Sequence, residues 1–134
     1  QRINMREGVE LLLDLPGQEV TVYTDSARLS QVINNLVNNA IKFTSEGNIR
    51  IGYRPAASGY VNIFVEDTGT GMSREVLEHI FDRFYKGDSF KQGTGLGLSI
   101  CKTIVKRFEG KIEVTSTPGK GTCFTITLPL KVEE

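Results

Sequence analysis

Polar side chains recur at helical spacing in residues 26–43, and their types suit the binding of a metal and a phosphate. Four of them line one face of a predicted helix, at intervals of four, four and three residues: Gln31, Asn35, Asn39 and Lys42. A side-chain amide oxygen is a neutral, hard ligand suited to Mg²⁺ that takes most of its coordination from phosphates and water, and a lysine one turn away can contact the phosphates. Asparagine is about 0.5 kcal/mol or more worse than alanine in a helix interior, so its repetition here has a cost. The segment alone fits a solvated polar face equally well, but a cation site predicts a phosphate-binding loop elsewhere.

Two glycine clusters have the composition of ligand-binding loops. Residues 66–71 (EDTGTG) follow an apolar strand pattern, which places Asp67 at a strand end with glycines that let a ligand approach the backbone. Residues 93–98 (GTGLGL) lead into a predicted helix, whose free N–H groups and dipole favour an anion. Taken singly, an ordinary turn explains the first cluster and a glycine-rich linker the second, and neither has the spacing of a dinucleotide-binding fingerprint. Residues 119–122 (GKGT) are better explained by a hairpin turn than by a P-loop, because Val114 occupies the position of that motif's first glycine.

The composition limits the class of protein. The chain has 134 residues, 39% of them hydrophobic, enough for one domain that buries roughly two-thirds of its unfolded surface. Sixteen basic and 16 acidic residues cancel without a basic block, which argues against a nucleic-acid partner. Apolar runs are short and no signal-peptide pattern is present, so we expect a cytoplasmic piece without direct membrane contact. Cys101 and Cys123 are predicted to be reduced and buried, and the start at Gln1 indicates a fragment of a larger protein.

Hydrophobic periodicity predicts the elements that position these residues. A first hairpin is expected from strands at 9–15 and 19–23, and a long helix from 25 or 26 to about 43. Ser73 is a good N-cap for a helix reaching about residue 84, and residues 87–93 are predicted to form a mobile loop. Another helix is predicted at about 96–108, and further strands at 48–53, 60–66, 111–116 and 122–130. Hairpins interrupted by helices favour an α+β domain, in which a mixed but mostly antiparallel sheet carries its helices on one face.

Four blocks in this order resemble the signature boxes of the catalytic ATP-binding domain of sensor histidine kinases. The blocks NNLVNNAIKF (34–43), EDTGTGM (66–72), IFDRFYKGD (80–88) and GTGLGLSI (93–100) match the N box, the first glycine box, the F box and the second glycine box. The resemblance covers about residues 25–130. It implies the Bergerat fold, a two-layer α/β sandwich in which ATP lies between the helices under a flexible lid.

The resemblance also assigns roles to residues on the phosphate side. Asn39 matches the Mg²⁺-binding asparagine, with Asn35 beside it. Lys42 and Lys86 match cations that contact the phosphates, although a solvated lysine is the alternative for each. These four residues would form the catalytic set, with ATP and Mg²⁺ as cofactors.

On the base side, Asp67 matches the carboxylate that accepts the adenine amino proton, and Thr122 matches the threonine that supports this contact. Phe43 matches an aromatic that lies against adenine, although a core residue at a helix end describes it nearly as well. Two departures are visible: Thr70 replaces an aliphatic residue of the first glycine box, and the lid between residues 86 and 93 is short. The other positions implied in the nucleotide pocket are Gly69, Gly71, Met72, Ile80, Gly93, Thr94, Gly95, Leu96, Gly97 and Leu98.

His79 is the one histidine and does not fit the family's phosphorylated position. In the family that histidine lies in a separate helical dimerisation domain and is usually followed by an acidic residue, whereas Ile80 follows His79. We therefore expect an exposed helical histidine. The resemblance implies a protein-histidine kinase module, monomeric in isolation, whose partners are the dimerisation domain of the same parent protein and a downstream response regulator receiver domain.

Three other functions stay open. ATPases of the same fold place a glutamate four residues before the metal-binding asparagine to activate water, but Asn35 occupies that position, which predicts slow hydrolysis. An anti-sigma-factor serine kinase is the second alternative, disfavoured by the F-box match. A non-catalytic interaction module is the third, and Mg²⁺-ATP binding would distinguish it.

Overall fold

The computed structural model describes residues 2–6, 9–14, 26–44, 46–56, 59–82 and 97–129. These residues form six strands and three helices in an α+β arrangement. In chain order they are β1 (Arg2–Arg6), β2 (Val9–Asp14), α1 (Ser26–Phe43), β3 (Gly47–Pro55), β4 (Tyr60–Asp67), α2 (Arg74–His79), α3 (Gly97–Arg107), β5 (Lys111–Thr117) and β6 (Gly121–Pro129).

The six strands form one sheet in the order β1-β2-β3-β4-β6-β5. Strands β2 and β3 pair in parallel, and every other neighbouring pair is antiparallel. The register places Asp67, the last residue of β4, opposite Ile49 of β3 and Thr122 of β6. The predicted mixed, mostly antiparallel sheet is thus confirmed, and Asp67 lies at one end of its two central strands.

One face of the sheet packs against the helices and forms the core. Alternate residues of a strand point to the same face, and on this side Val65, Phe124 and Ile126 are at most 2% exposed. Helix α1 contributes Val32 and Leu36 to the same core, both fully buried. These residues recur at i and i+4, which gives α1 the apolar stripe expected from the sequence.

The outer face of the sheet is polar and partly exposed. Arg50 of β3 contacts Glu66 of β4 at 2.7 Å, and the guanidinium groups of Arg50 and Arg54 lie 5.5 and 5.9 Å from the centre of the Phe64 ring. Cys123 lies on this face and is only half-buried, so the prediction of two buried thiols holds for Cys101 alone; both cysteines are free. Within the described ranges, no helix combines the length and apolar composition that crossing a bilayer requires.

One strand pairing and one helix boundary differ from the sequence prediction. Strand β2 forms its hairpin with β1, which precedes it, and not with a following strand, while the predicted strand at 19–23 lies outside the described residues. Helix α2 begins as predicted, because the Ser73 Oγ accepts the backbone N–H of Val76 at 3.2 Å, but it ends at His79 and not near residue 84. The buried side chain of Ile80 follows at the C-cap and belongs to the hydrophobic core.

Candidate functional site

The carboxylate of Asp67 is buried at the end of β4. The residue is 4% exposed, and its Oδ1 accepts the backbone N–H of Gly69 at 2.9 Å. The backbone N–H of Thr122, directly across the β4–β6 ladder, also bonds the carboxylate. Burial raises the pKa of Asp67 above its ordinary value, and the two backbone bonds offset part of that increase. Asp67 is therefore a fixed acceptor held in a desolvated position.

The glycines after Asp67 allow the loop to pass close to neighbouring backbone. A Cβ on Gly69 would lie 2.0 Å from the carbonyl oxygen of Phe43, the last residue of α1. Gly71 has a φ of +71°, and a Cβ there would lie 2.2 Å from the carbonyl oxygen of Thr117. Both glycines thus seat the loop between α1 and the β5–β6 turn, so they shape the pocket through packing.

A second polar cluster adjoins Asp67, and one of its members, Ser116, was not predicted from the sequence. Thr122, 4% exposed, has its Oγ1 2.9 Å from the Oγ of Ser116 on β5. The Ser116 Oγ also accepts the backbone N–H of Met72 at 2.8 Å and donates to the carbonyl oxygen of Gly121 at 3.0 Å. The signal for Ser116 was available, because it is the polar member of an alternation that is otherwise apolar on the helix-facing side of β5, after Ile112 and Val114.

The polar face of α1 is real, but its members differ in environment. Asn39 is 7% exposed, and within the described ranges its amide has no side-chain hydrogen bond. The Asn35 Nδ2 donates to the Sγ of Cys101 on α3 at 3.6 Å, so Asn35 joins the two helices. Burial raises the pKa of the Cys101 thiol to about 11, which keeps it protonated. Gln31 and Lys42 are exposed at the two ends of the face.

The other predicted pocket residues divide between the core and segments outside the described ranges. Phe43, Met72, Ile80 and Leu98 are all buried, at 3–8% exposure, and Gly97 is the first residue of α3. Of the described pocket glycines, only Gly97 would leave room for a Cβ, which would lie 3.9 Å from the Asn35 side chain. Lys86, Gly93, Thr94, Gly95 and Leu96 lie outside the described residues.

A groove of about 400 Å³ runs past the strand ends that carry Asp67, Ser116 and Thr122. Glu66 and Cys123 also line it, and since they point to the opposite face of the sheet, the groove wraps around the strand ends. Lys120, in the β5–β6 turn, is a cation on its rim. Another cavity of about 440 Å³, lined by Tyr60 and Gly110, lies at the other end of β4, away from Asp67.

Neither a nucleophilic histidine nor a dense metal cluster adjoins this site in the described part of the chain. His79 is exposed, as predicted, and its Nδ1 lies 2.8 Å from the Asp82 carboxylate. No three His, Cys, Asp or Glu side chains of the described ranges are grouped so that they could hold a metal. A cation here would need an amide ligand together with oxygens from a phosphate and from water.

Comparison with known proteins places this arrangement among ATP-binding domains. The family described as "Histidine kinase-, DNA gyrase B-, and HSP90-like ATPase" matches residues 24–132. The adaptive-response sensory kinase SasA of Crocosphaera subtropica is 42% identical over 127 residues, which cover 92% of this chain and 33% of that protein. The sensor protein SrrB of Staphylococcus aureus is 42% identical over 127 residues, which cover 91% of this chain and 21% of that protein. The chain thus spans a third or less of the length of these relatives.

Solved structures share the fold. Full-length ShkA in complex with AMPPNP superposes with a TM-score of 0.84 at 29% identity, over 94% of this chain and 26% of that one. The catalytic domain of the histidine kinase ThkA, in a nucleotide-free form, has a TM-score of 0.78 at 31% identity, over 91% of this chain and 80% of that one. The neighbours therefore include one chain solved with an ATP analogue and one without a nucleotide.

Proposed function

The chain belongs to the family of histidine kinase-, DNA gyrase B- and HSP90-like ATPases and is similar to the catalytic domains of sensor histidine kinases, and from that premise we propose that it binds Mg²⁺-ATP and transfers the γ-phosphoryl group to a histidine on a separate dimerisation domain. The observation that carries the proposal is the buried Asp67 carboxylate, held by two backbone N–H groups at the end of a groove. A buried carboxylate with an elevated pKa is costly for folding, and such groups concentrate at functional sites.

Asp67 supplies the base specificity. An ionised carboxylate only accepts hydrogen bonds, and the 6-amino group of adenine donates where guanine has a carbonyl oxygen. The bonds from Gly69 and Thr122 fix the position of the carboxylate, so that its remaining lone pairs face a ligand without reorganisation. This arrangement favours ATP over GTP.

Asn39 and Lys42 supply the phosphate side. Asn39 is buried on the polar face of α1, and its neutral amide oxygen suits a cation that keeps most of its ligands from phosphates and water. The chemistry that a bound Mg²⁺ supplies is neutralisation of the charge on the phosphate oxygens. Lys42, exposed in the last turn of α1, adds a positive charge next to Asn39. Lys86 and residues 93–96 are proposed to complete the phosphate contacts.

Hydrolysis by this chain is expected to be slow. An amide cannot take a proton from water at neutral pH, and the Asn35 amide is already engaged with Cys101. Phosphoryl transfer to an external nucleophile relies on positioning and charge neutralisation, which the residues above provide. This favours the kinase over the ATPase, while the anti-sigma-factor serine kinase remains the second candidate.

The acceptor is proposed to lie on another domain of the parent protein. His79, the last residue of the short helix α2, is paired with Asp82 and is followed directly by Ile80 and not by an acidic residue. We propose that residues 1–134 are one catalytic domain of a larger cytoplasmic kinase segment, with a response regulator receiver domain downstream. The relatives' much greater length supports a multidomain parent.

The test combines binding with transfer. Titration of the chain with ATP by calorimetry, with and without Mg²⁺, should give binding that strengthens with the metal and is weakened in Asp67→Ala. Mixing the chain with helical dimerisation domains of sensor kinases and radiolabelled ATP should label histidine on the added domain, with acid-labile chemistry. Label on His79, or on serine of an added protein, would contradict the histidine kinase proposal.

A further inference from the structure

Ser116 joins three segments around the buried Asp67. Its Oγ accepts from the Met72 backbone N–H at 2.8 Å, lies 3.0 Å from the carbonyl oxygen of Gly121 and lies 2.9 Å from the Thr122 Oγ1. Thr122 in turn donates its backbone N–H to the Asp67 carboxylate. One hydroxyl thus bonds the loop after β4 and both residues at the start of β6.

The direction of the hydroxyl protons follows from counting donors and acceptors. A serine hydroxyl has one hydrogen and two lone pairs. The Met72 N–H occupies one lone pair, and the Gly121 carbonyl can only accept, so the serine hydrogen must point to Gly121 if that bond is made. The Thr122 hydroxyl must then donate to the second lone pair of Ser116. Only this arrangement makes all three bonds at once, and it leaves both lone pairs of the Thr122 Oγ1 unused.

We propose that Ser116 is a positioning residue that turns the Thr122 hydroxyl into a pure acceptor and thereby makes the pocket wall beside Asp67 accept hydrogen bonds at two adjacent points. This inference rests on the proposed function, because it names the chemistry by which the same site selects its base. An exocyclic amino group carries two hydrogens and matches two acceptors. A 6-oxo purine carries none at that position and faces two acceptors.

The experiment compares ATP with inosine triphosphate, which differs from ATP in having oxygen in place of the 6-amino group and a hydrogen on N1. Calorimetric titration in the presence of Mg²⁺ gives the ratio of the two affinities within each protein, so a general loss of stability cancels. The wild-type chain should prefer ATP by about tenfold or more, the value of one hydrogen bond to a charged acceptor. Ser116→Ala frees the Thr122 hydroxyl to donate to a 6-oxo group, and the ratio should fall at least about threefold.

Two further variants separate proton direction from packing. Ser116→Thr keeps a hydroxyl at this strand position and should keep the wild-type ratio of ATP to inosine triphosphate affinity. Ser73→Ala is the matched control, because it also removes a serine Oγ that accepts a backbone N–H, at 3.2 Å from Val76, but lies at the start of α2. It should lower stability and leave the ratio unchanged.

Thr122→Val keeps the test decisive if Ser116→Ala does not fold, since it leaves the Ser116 bonds to Met72 and Gly121 intact. Removing the second acceptor should also lower the ratio. A wild-type ratio in folded Ser116→Ala or in Thr122→Val overturns the inference while leaving the proposed function standing. If the wild-type chain binds neither nucleotide, the proposed function fails and the inference with it.

Discussion

Replacing Asp67 by asparagine removes a charge while conserving the shape of the side chain. The amide oxygen of Asp67→Asn can still accept the N–H group of Gly69, so the turn after Asp67 should survive. What changes is the second position of the side chain, where an amino group replaces an acceptor oxygen. The variant therefore isolates the charge and acceptor character that we assign to base recognition.

The expected loss of ATP affinity follows from the strength of the bonds involved. The amino group of Asp67→Asn cannot accept the adenine amino proton, so the substitution loses a hydrogen bond to a charged group. Such a bond is worth about 1.5–3 kcal/mol, or roughly 10- to 150-fold in ATP affinity. GTP should lose nothing or gain, because the new amino group can donate to its 6-oxo oxygen. Asp67→Ala, the control, should weaken ATP binding without improving GTP binding.

The same substitution should leave stability at neutral pH equal or higher. Burial raises the pKa of Asp67, so between the unfolded and the folded pKa the folded chain binds more protons than the unfolded one, and stability falls as pH rises through that interval. Above the pKa of Asp67 in the folded chain, the free-energy penalty for burying the ionised carboxylate is fully present in the wild type and absent in Asp67→Asn. Thermal unfolding at neutral pH and near about pH 4 measures this, and the advantage of the variant should shrink at the acid end. ATP binding that is equal in wild type, Asp67→Asn and Asp67→Ala would refute the role of Asp67.

Three further predictions test other parts of the site. Asn39→Ala should abolish transfer to an added histidine-containing domain. It should also raise the free energy of unfolding in urea by up to about 0.6 kcal/mol, because alanine is the better helix former. Unfolding of the variant would assign Asn39 a structural role. Gly69→Ala should lower the free energy of unfolding by about 2–4 kcal/mol in the same assay, because its Cβ would lie 2.0 Å from a carbonyl oxygen. The control Gly59→Ala, at φ +85° with open space around the Cβ, should lower it by about 1 kcal/mol. Equal losses would contradict the packing argument. A thiol reagent at neutral pH should modify Cys101 at least about tenfold more slowly than Cys123, because Cys101 is fully buried and has a pKa of about 11. Peptide mass spectrometry would measure the two rates. Equal rates would show that α3 opens readily.

The local patterns in the sequence predicted most elements, while long-range pairing could not be read from them. Helix α1 and strands β3 and β4 have strong periodicity and clear turn signals, so their positions were predicted to within one or two residues. The parallel pairing of β2 with β3 joins residues far apart in the chain, and nothing within either strand specifies that partner. The end of α2 was missed because the apolar residues after it suit a helix and a buried turn equally well.

The site shows the same division. The positions of Asp67 and Asn39 were predictable because each has an unusual residue type in a periodic segment. Ser116 was not predicted. The alternation along β5 places it on the helix-facing side, but only the β4–β6 and β5–β6 registers bring it beside Thr122. The contact between Asn35 and Cys101 likewise depends on how α1 and α3 pack, which neither helix sequence determines.

The proposed base and phosphate sides of the site are joined through the backbone at the end of α1. The carbonyl oxygen of Phe43 accepts the N–H of Thr70 at 3.0 Å and lies against the space that a Cβ on Gly69 would fill. Asn39 lies one turn before Phe43 on the same helix, and Asp67 lies three residues before Thr70, so this contact links the proposed acceptor for the base to the proposed amide ligand of the cation. The contact uses only the backbone N–H of Thr70, which any residue except proline supplies. Thr70, where the sequence departs from the family, can therefore differ in its side chain without changing this contact. A side chain at Gly69, in contrast, would push the end of α1 away from the loop that follows Asp67.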